Sequence, residues 1–448
     1  MFFVLGDYMI TGRRASEIAA SVEAGVGAGE LAPGAVLPPM RELAARLGVN
    51  PNTVAAAYRT LRERGVIETD GRRGSRVRSR PATAPREARG VAVPPGARDL
   101  SNGNPDVSLL PSLDGPLAAA ARRYAEAPTV YGQDPVVPEL ARLAREGLAA
   151  DGVPADAGPL ALTSGALDGI ERVLVAHLKP GDAVAVEDPG WGSVLDLVPA
   201  LGLRTLPVAV DDDGPLPSAV ARALTAGARA LVVTARAQNP TGAAVGSARA
   251  EELRSLLAAH PEVLVIDDDH GHGIVDLPLH PLGGVTRHWA LIRSTAKAYG
   301  PDLRLAVVVG DEVTLDRLRG RQRLGPGWVS RLLQYSVVEL WSSGAVDAVA
   351  VARSYGDRRD ALVAALAERG VRAHGRSGMN VWIPVADETS AVTGLLATGW
   401  AVAPGSRFRL ETGPAVRITV ARLSPPEIPG LADAVAAVLR PSTAFRHV

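Results

Sequence analysis

The chain is 448 residues long, 47% of them apolar, and its 48 basic residues equal its 48 acidic ones, a length that indicates two or three domains with a large core. It contains no cysteine, which excludes a disulfide framework and a cysteine-based metal site. The apolar start over residues 1–5 has no basic segment, and no stretch approaches the ~20 apolar residues of a membrane span, so we expect a cytoplasmic protein.

Residues 1–78 are predicted to form a winged helix-turn-helix domain. Its elements are three helices and then a β-hairpin, predicted in turn over residues 15–26, 40–48, 52–64, 66–69 and 75–78. Asn50 is expected to cap the third helix, with Pro51 at its first position. Val54, Ala57, Tyr58 and Leu61 fall on one face of that helix and should form its buried side.

This domain has the charge and the residue types of a DNA-reading head. Residues 1–80 carry 12 arginines against 8 acidic residues, whereas the remainder carries 36 basic and 40 acidic residues. In a helix-turn-helix the second helix of the motif enters the major groove, which would bring Asn52, Thr53 and Ala56 to the base edges. The expected contacts to the DNA backbone are made by Arg41, Arg59, Arg62, Arg72 and Arg73. The alternative is a winged helix used only for packing, with arginines that are merely solvated.

Residues 79–98 differ from what precedes and follows them. Four prolines interrupt a run of alanine, arginine, glycine and threonine in which apolar residues do not recur at a regular spacing. We therefore predict a linker, partly stiffened by its prolines, which could span ~60 Å if extended.

Residues 99–448 have the pattern of an α/β domain. Apolar runs of strand length recur, several of them separated by helical segments, at residues 183–186, 230–233, 263–266, 289–292 and 305–309. Buried strands alternating with helices predict a mainly parallel sheet, whose ligands gather at the carboxyl ends of its strands. From residue 345 onward, amphipathic helices over 349–369 and 428–439 flank short strands, which predicts a smaller C-terminal α/β subdomain.

Only two of the basic residues, Lys179 and Lys297, are lysines. Arginine stays protonated and delocalised and so cannot form a Schiff base, whereas a lysine amine can. Lys179 lies in a predicted exposed turn before Pro180, while Lys297 follows the apolar run 289–292. Lys297 is therefore the candidate anchor for pyridoxal phosphate (PLP), although a GC-rich genome would also produce this scarcity of lysine.

Three polar side chains with suitable chemistry each follow a predicted strand. Asn239, Asp268 and Lys297 are spaced by 29 residues each, the length of one βαβ unit, and could meet at one rim of the sheet. An aspartate beside the pyridine nitrogen keeps the PLP ring protonated, an amide can orient its phenolate oxygen, and the lysine binds its aldehyde.

An anion site is predicted next to these residues. Ser164, Gly165 and Ala166 precede a helix, so their backbone N–H groups can hold a phosphate, and Ser294 and Arg304 could add a hydroxyl and a bidentate cation. The remaining candidates are Trp191, which could stack on the ring, and Arg417, which could pair with the carboxylate of a substrate or effector. Taken singly each of these residues has an ordinary structural explanation, and the ordered set is the specific signal.

Two family resemblances rest on these residues. Residues 99–448 resemble a fold-type I, class I aminotransferase domain, and residues 15–80 resemble a GntR-type winged helix through the segments 37–44 and 52–58. The two joined in this order resemble the MocR-type transcription regulators. That resemblance implies PLP bound covalently to the lysine, a small amino compound or PLP itself as the signal, and a head-to-tail homodimer in which one protomer's DNA-binding head rests near its partner's large domain.

The chain departs from the family pattern at four places. His270 stands where the family commonly has a tyrosine facing the phenolate oxygen of the cofactor; an imidazole can donate there, but it titrates near neutrality. Asp302 and Ala306 replace expected glycines around Arg304. Tyr131, which resembles a phosphate ligand reaching across the subunit boundary, lies in a segment without the usual glycine after Asp134-Pro135.

The leading hypothesis is therefore a PLP-dependent transcription regulator that binds double-stranded operator DNA and senses an amino compound or PLP. A working aminotransferase, transferring amino groups between an amino acid and a 2-oxo acid, is the alternative. A third hypothesis is a DNA-binding protein whose aminotransferase-like domain only holds a dimer together.

Overall fold

The computed structural model describes residues 8–27, 30–32, 34–63, 66–69, 74–78, 86, 92–153 and 160–440. Two compact units are present, an N-terminal head and a large α/β unit. No helix in these ranges is both long enough and apolar enough to cross a lipid bilayer.

The head is the predicted three-helix arrangement with a β-hairpin. Its elements are α1 Ala15–Gly27, α2 Met40–Leu47, α3 Pro51–Glu63, β1 Ile67–Thr69 and β2 Ser75–Val77. The two strands are antiparallel, with Ile67 opposite Val77. Gly48 ends α2 in the left-handed conformation, with φ +66°, as expected for a glycine at this position.

The core of the head is formed by the faces that the apolar spacing predicted. Val54, Ala57, Tyr58 and Leu61 of α3 are all at most 1% exposed, and they pack with residues of α1 and α2. The hydroxyl of Tyr58 donates to the Pro38 carbonyl at 2.8 Å, so its one buried polar atom is satisfied. The spacing of apolar residues alone was therefore enough to define this helix and its buried side.

The large unit is built around one extended sheet. Its strands, with the hairpin strand β7 at one edge, are β4 Leu160–Thr163, β5 Ala183–Asp188, β6 Arg204–Asp211, β7 Gly214–Pro215, β8 Ala228–Thr234, β9 Leu264–Asp269, β10 Trp289–Ser294 and β11 Ala306–Gly310. They lie in the order β4-β11-β10-β9-β8-β5-β6-β7. The neighbours β8, β9 and β10 are parallel, as predicted, whereas β11 is antiparallel to both β10 and β4. The core strands are buried along their length, which matches their continuous apolar runs.

Helices cover this sheet and lead into the C-terminal part of the unit. They are α4 Asp114–Glu126, α5 Pro138–Ala150, α6 Ala166–His177, α7 Gly192–Ala200, α8 Pro217–Thr225, α9 Ser247–Ala258, α10 Ala296–Tyr299, α11 Glu312–Arg323, α12 Arg331–Ser342 and α13 Ala348–Glu368. Beyond α13 come β12 Asn380–Pro384, α14 Glu388–Ala397, β13 Trp400–Ala401, β14 Ala403–Pro404, β15 Ala415–Thr419 and α15 Ile428–Leu439.

The C-terminal elements of the large unit pack on one another. A three-stranded antiparallel sheet, in the order β12-β15-β14, packs against α13, α14 and α15 around a shared apolar core. Strand β3, Arg98–Asp99, pairs in parallel with β13. The chain that follows the linker is therefore attached to this subdomain before it enters the rest of the large unit.

Candidate functional site

The recognition helix of the head presents polar residues at its first turn. The side-chain oxygen of Asn50 accepts the backbone N–H of Asn52 at 2.9 Å, which confirms the predicted cap. Asn52 is exposed and Thr53 is partly exposed. Arg41 on α2 and Arg59 and Arg62 on α3 are exposed as well. Arg72 and Arg73, predicted at the hairpin tip, lie outside the described residues.

The large unit contains a cavity of about 510 Å³ at the carboxyl ends of its parallel strands. Most of the predicted cofactor residues line it, together with the residue predicted to bind a carboxylate: Gly165, Ala166, Trp191, Asn239, His270, Ser294, Lys297, Arg304 and Arg417. Residues from β10, from the loops after β4, β5 and β8, and from the C-terminal subdomain meet here. The expected convergence of distant segments on one rim of the sheet is thus present.

Lys297 is the lysine of this cavity. It lies on the short helix α10 just after β10, and its side chain is half-buried. The Nζ atom donates to the carbonyl oxygen of Gly103 at 2.5 Å. Lys179, the other lysine, lies in the turn after α6 and is exposed. Burial in a cavity distinguishes the two lysines in the way that the sequence context predicted.

The three aspartates at the end of β9 have three different environments. Asp267 accepts the backbone N–H groups of Leu282 and Gly283. Asp269 is bound by Arg236 and Arg293, whose proximity outweighs the effect of burial and holds the pKa of this carboxyl far below its usual range. Asp268, between them, has its side chain on the opposite face of the strand, where it lines a small pocket that shares Trp191 with the cavity.

Asp268 has one oxygen engaged and one oxygen buried without a partner. Its Oδ2 lies 2.9 Å from Nδ1 of His270. Its Oδ1 is buried and finds no hydrogen-bond partner among the residues that the structure describes. A buried carboxylate oxygen in this state is costly unless a ligand donates to it. The protonated nitrogen of a pyridine ring would be such a donor.

An anion cradle lies at the N-terminus of α6. Gly165 precedes the helix with φ +95°, and a Cβ atom built on it would lie 2.9 Å from a guanidinium nitrogen of Arg304. The same guanidinium donates to the carbonyl oxygen of Ser164 at 2.5 Å. Arg304 itself has φ +43°. The positive φ favours glycine at 165, and the guanidinium of Arg304 places a cation beside the helix N-terminus.

Arg417 is held in place by the site around it. It projects from β15, donates to Asn239 Oδ1 at 2.9 Å and to the Ser101 carbonyl at 2.7 Å, and lies over the ring of Phe408 at 4.6 Å. Because arginine can only donate, the oxygen of the Asn239 amide must face it. The amide N–H groups of Asn239 are then left to donate elsewhere.

Three predicted residues do not line the cavity. Asp268 lines a separate small pocket, which shares Trp191 with the cavity. Ser164 stands at its edge, where its carbonyl binds Arg304. The side chain of Tyr131 is 90% exposed and meets the ring of Trp328 edge-on, 5.5 Å between centroids. A residue that reaches across a subunit boundary would be expected at such an exposed position.

Several cavity residues carried no signal in the sequence. They are small or apolar, or lie in segments without a motif: Ser101, Asn102, Gly103, Ala237, Ile274, Met379, Asn380, Arg407 and Phe408. Packing of the C-terminal subdomain and of the segment after β3 brings them to the site. The Gln238-Asn239-Pro240 motif was the one local clue, since it lies directly beside Ala237.

Comparison with known proteins agrees with this architecture. The family model "Aminotransferase class I and II" matches residues 98–435, and "Bacterial regulatory proteins, gntR family" matches residues 14–77. The vitamin B6 salvage pathway transcriptional repressor PtsJ of Salmonella typhimurium is 40% identical over 95% of this chain and 98% of its own. The regulator TauR of Rhodobacter capsulatus is 27% identical over 94% of this chain and 95% of its own.

A solved structure shows the same fold in the large unit. Kynurenine aminotransferase of Pyrococcus horikoshii superposes with a TM-score of 0.69 at 18% identity, covering 77% of this chain and 91% of its own.

Proposed function

Since this chain belongs to the class I and II aminotransferase family and carries a GntR-family head, we propose that ligands held at Lys297 control its binding to DNA. It is a transcription regulator of the MocR type, in which a winged helix is joined to an aminotransferase-like domain. The observation that supports the proposal most strongly is a cavity that collects the anchor lysine and an anion cradle, with an unsatisfied buried carboxylate oxygen on Asp268, the partner of the cavity residue His270.

The residues of the cavity fit PLP. Lys297 would bind its aldehyde, the free oxygen of Asp268 would accept the pyridine N–H, and the amide of Asn239 would donate to the phenolate oxygen. The phosphate would be held by Ser164, Gly165, Ala166, Ser294 and Arg304, with Trp191 on the ring and His270 beside Asp268. When bound, PLP supplies an aldehyde for amines and a ring that withdraws electrons.

The remaining groups select what binds beside the cofactor. Arg417 offers a fixed guanidinium for the carboxylate of a small amino compound. PtsJ is described as a repressor of vitamin B6 salvage, so PLP itself is a second candidate effector for this chain. In either case, the ligand can change DNA binding only through unequal affinity for two arrangements of the molecule.

The regulator would act as a head-to-tail homodimer in the cytoplasm, on double-stranded operator DNA. Exposed Tyr131 is then the residue offered to the partner's phosphate site. Asn52 and Thr53 would read bases, while Arg41, Arg59, Arg62, Arg72 and Arg73 would contact phosphates.

Aminotransferase activity is the second candidate, because Lys297 and Arg417 line this cavity and Asp268 is bound to His270 of the same lining. Sustained exchange between an amino acid and a 2-oxo acid at ~1–10³ s⁻¹ would favour it. The absence of turnover, with DNA binding that changes on adding the amine, would favour the regulator.

The direct test is Lys297→Ala with Lys179→Ala as the matched control. Purified wild-type protein and Lys179→Ala should absorb near ~420 nm after PLP is added, and Lys297→Ala should not. Gel-shift titration of the adjacent intergenic DNA, with and without PLP and candidate amines, should show a ligand response that Lys297→Ala loses. A band that survives in Lys297→Ala and disappears in Lys179→Ala would overturn the assignment.

A further inference from the structure

His270 lines the cavity at the position where the family resemblance places a donor to the phenolate oxygen of the cofactor, but its ring makes other contacts. Its side chain is 14% exposed and both ring nitrogens are engaged. Nδ1 lies 2.9 Å from Oδ2 of Asp268, and Nε2 lies 2.9 Å from the carbonyl oxygen of Ala237. No ring nitrogen is therefore left to face a ligand in the cavity.

The two partners determine the protonation state of the ring. A carbonyl oxygen can only accept, so Nε2 must carry a hydrogen; where the Asp268 carboxylate is ionised it too can only accept, and Nδ1 then carries a hydrogen as well. Burial by itself lowers the pKa of His270, but the Asp268 carboxylate and the hydrogen bonds to it and to Ala237 raise it above its ordinary value. The charged groups that face the ring are Asp268, which favours the imidazolium, and Lys297, which opposes it.

The Ala237 carbonyl is fixed in its direction toward the ring. Ala237 has φ +55°, a conformation that a residue with a Cβ seldom adopts. Its N–H donates to Ser377 Oγ at 3.0 Å. A Cβ at Gly378 would lie 2.6 Å from the Cβ of Ala237, so the close packing needs glycine there. A strained backbone held from two sides indicates that the acceptor for Nε2 is built into the fold.

Resting on the proposed binding of PLP, we propose that His270 is a positioning residue that stays protonated, fixes Asp268 and cancels its charge. A tyrosine at this place would leave Asp268 as a full negative charge and would offer a hydroxyl to the phenolate oxygen. With His270, the Asp268–His270 pair is neutral overall, and Asn239 is left as the donor to that oxygen. The pair then holds the proton of the pyridine nitrogen less strongly than a lone carboxylate would.

The first experiment needs no cofactor. In the full-length protein without PLP, long-range ¹H–¹⁵N NMR correlations report whether each imidazole carries one or two hydrogens, with His270→Gln identifying the signal of His270. At pH 7 we expect hydrogens on both nitrogens of His270, and Asp268→Asn should lower its midpoint by at least about one pH unit. A single hydrogen on the wild-type ring at pH 7, or a midpoint that Asp268→Asn leaves unchanged, would overturn the proposal.

His272 is an internal control in the same spectra. Burial and the neighbouring Arg293 lower its pKa to about 4, so its ring should remain neutral from pH 5 to pH 8. If the His272 ring also carries two hydrogens at pH 7, double protonation is not specific to the pairing of His270 with Asp268. That result would contradict the proposal.

The second experiment uses the protein loaded with PLP. Removing the positive charge beside Lys297 with His270→Gln should move the pH midpoint of the ~420 nm band upward by on the order of one unit, because the protonated lysine nitrogen is then less repelled. An unmoved midpoint contradicts the role of His270. If no variant and no wild-type sample shows the band, it is the proposed function that fails, and the cofactor-free NMR result still decides the state of His270.

Discussion

Glu187 shows how a single residue can make this fold sensitive to pH. It is fully buried at the carboxyl end of β5, where it accepts from the backbone N–H of Thr234 and the side-chain amide of Gln238. Burial, with a contribution from nearby Asp268, raises its pKa from 4.5 to about 7. The folded protein therefore binds a proton here at pH values where the unfolded chain has released it.

The sign of the effect follows from this difference. Between about pH 4.5 and pH 7 the native state holds more protons at Glu187 than the unfolded state, so the free energy of unfolding falls as the pH rises. A shift of this size corresponds to on the order of 3 kcal/mol over the whole window. Glu187→Gln, which stays neutral, should remove this part of the pH dependence.

Thermal unfolding of wild type and Glu187→Gln from pH 5 to pH 8 checks this prediction. The melting temperature of wild type should fall relative to that of the variant as the pH rises. Glu262→Gln, a change at an exposed residue paired with Arg287, is the control and should keep the wild-type slope. Parallel curves for wild type and Glu187→Gln would show that Glu187 is ionised throughout.

At the scale of elements, the head and the sheet were predictable to different degrees. Helix α3 was predicted with its cap and its buried face, because both are encoded by residues next to one another in the chain. The strands were predicted from their apolar runs, but the antiparallel direction of β11 was not. Nothing within an apolar run records its direction relative to its neighbours, which depends on the connection that leads into it.

The prediction at the scale of elements concerns DNA binding by helix α3. Asn52→Ala should weaken binding to the operator by about 1–3 kcal/mol and relax the preference for the base it contacts. Arg41→Ala, which removes a phosphate contact from α2, should weaken binding to all sequences alike and reduce the salt slope by about 1.

Fluorescence anisotropy with operator and scrambled DNA at several salt concentrations distinguishes the two effects. Arg142→Ala, which removes the same charge from an exposed pair on α5, is the matched control and should bind as wild type does. Equal losses on both DNAs for Asn52→Ala would contradict base reading by that residue.

At the scale of the whole molecule, the large unit leaves apolar side chains in solvent. The most exposed of those described are Tyr131 at 90%, Leu324 at 88% and Val107 at 72%. Helices α4 and α12, which pack on each other, add the exposed leucines Leu117 and Leu332. Exposed apolar side chains mark a site of protein association where they form a contiguous patch, and we expect the proposed homodimer to cover Leu324 among them.

Leu324→Asp tests that assignment. Placing a charge in the contact between protomers should raise the dimer dissociation constant at least ~10-fold, which is about 1.4 kcal/mol. Sedimentation velocity over a concentration series measures the change. Val313→Asp on α11, likewise a change from an exposed apolar residue to aspartate, should leave the dimer intact. A dimer dissociation constant that Leu324→Asp changes no more than Val313→Asp does would place Leu324 outside the interface.

The sequence by itself determined the order of the domains, the helices and hairpin of the head, five strands of the large sheet, and the candidates for the anchor lysine, the ring aspartate and the anion cradle. These follow from local spacing, from motif chemistry and from the scarcity of lysine. Only the tertiary structure decided that Nζ of Lys297 meets the Gly103 carbonyl, that Arg417 turns the Asn239 amide, and that His270 binds Asp268 and Ala237. These contacts join residues up to 194 positions apart, and their geometry depends on how the sheet and the C-terminal subdomain pack, which no local pattern in the chain records.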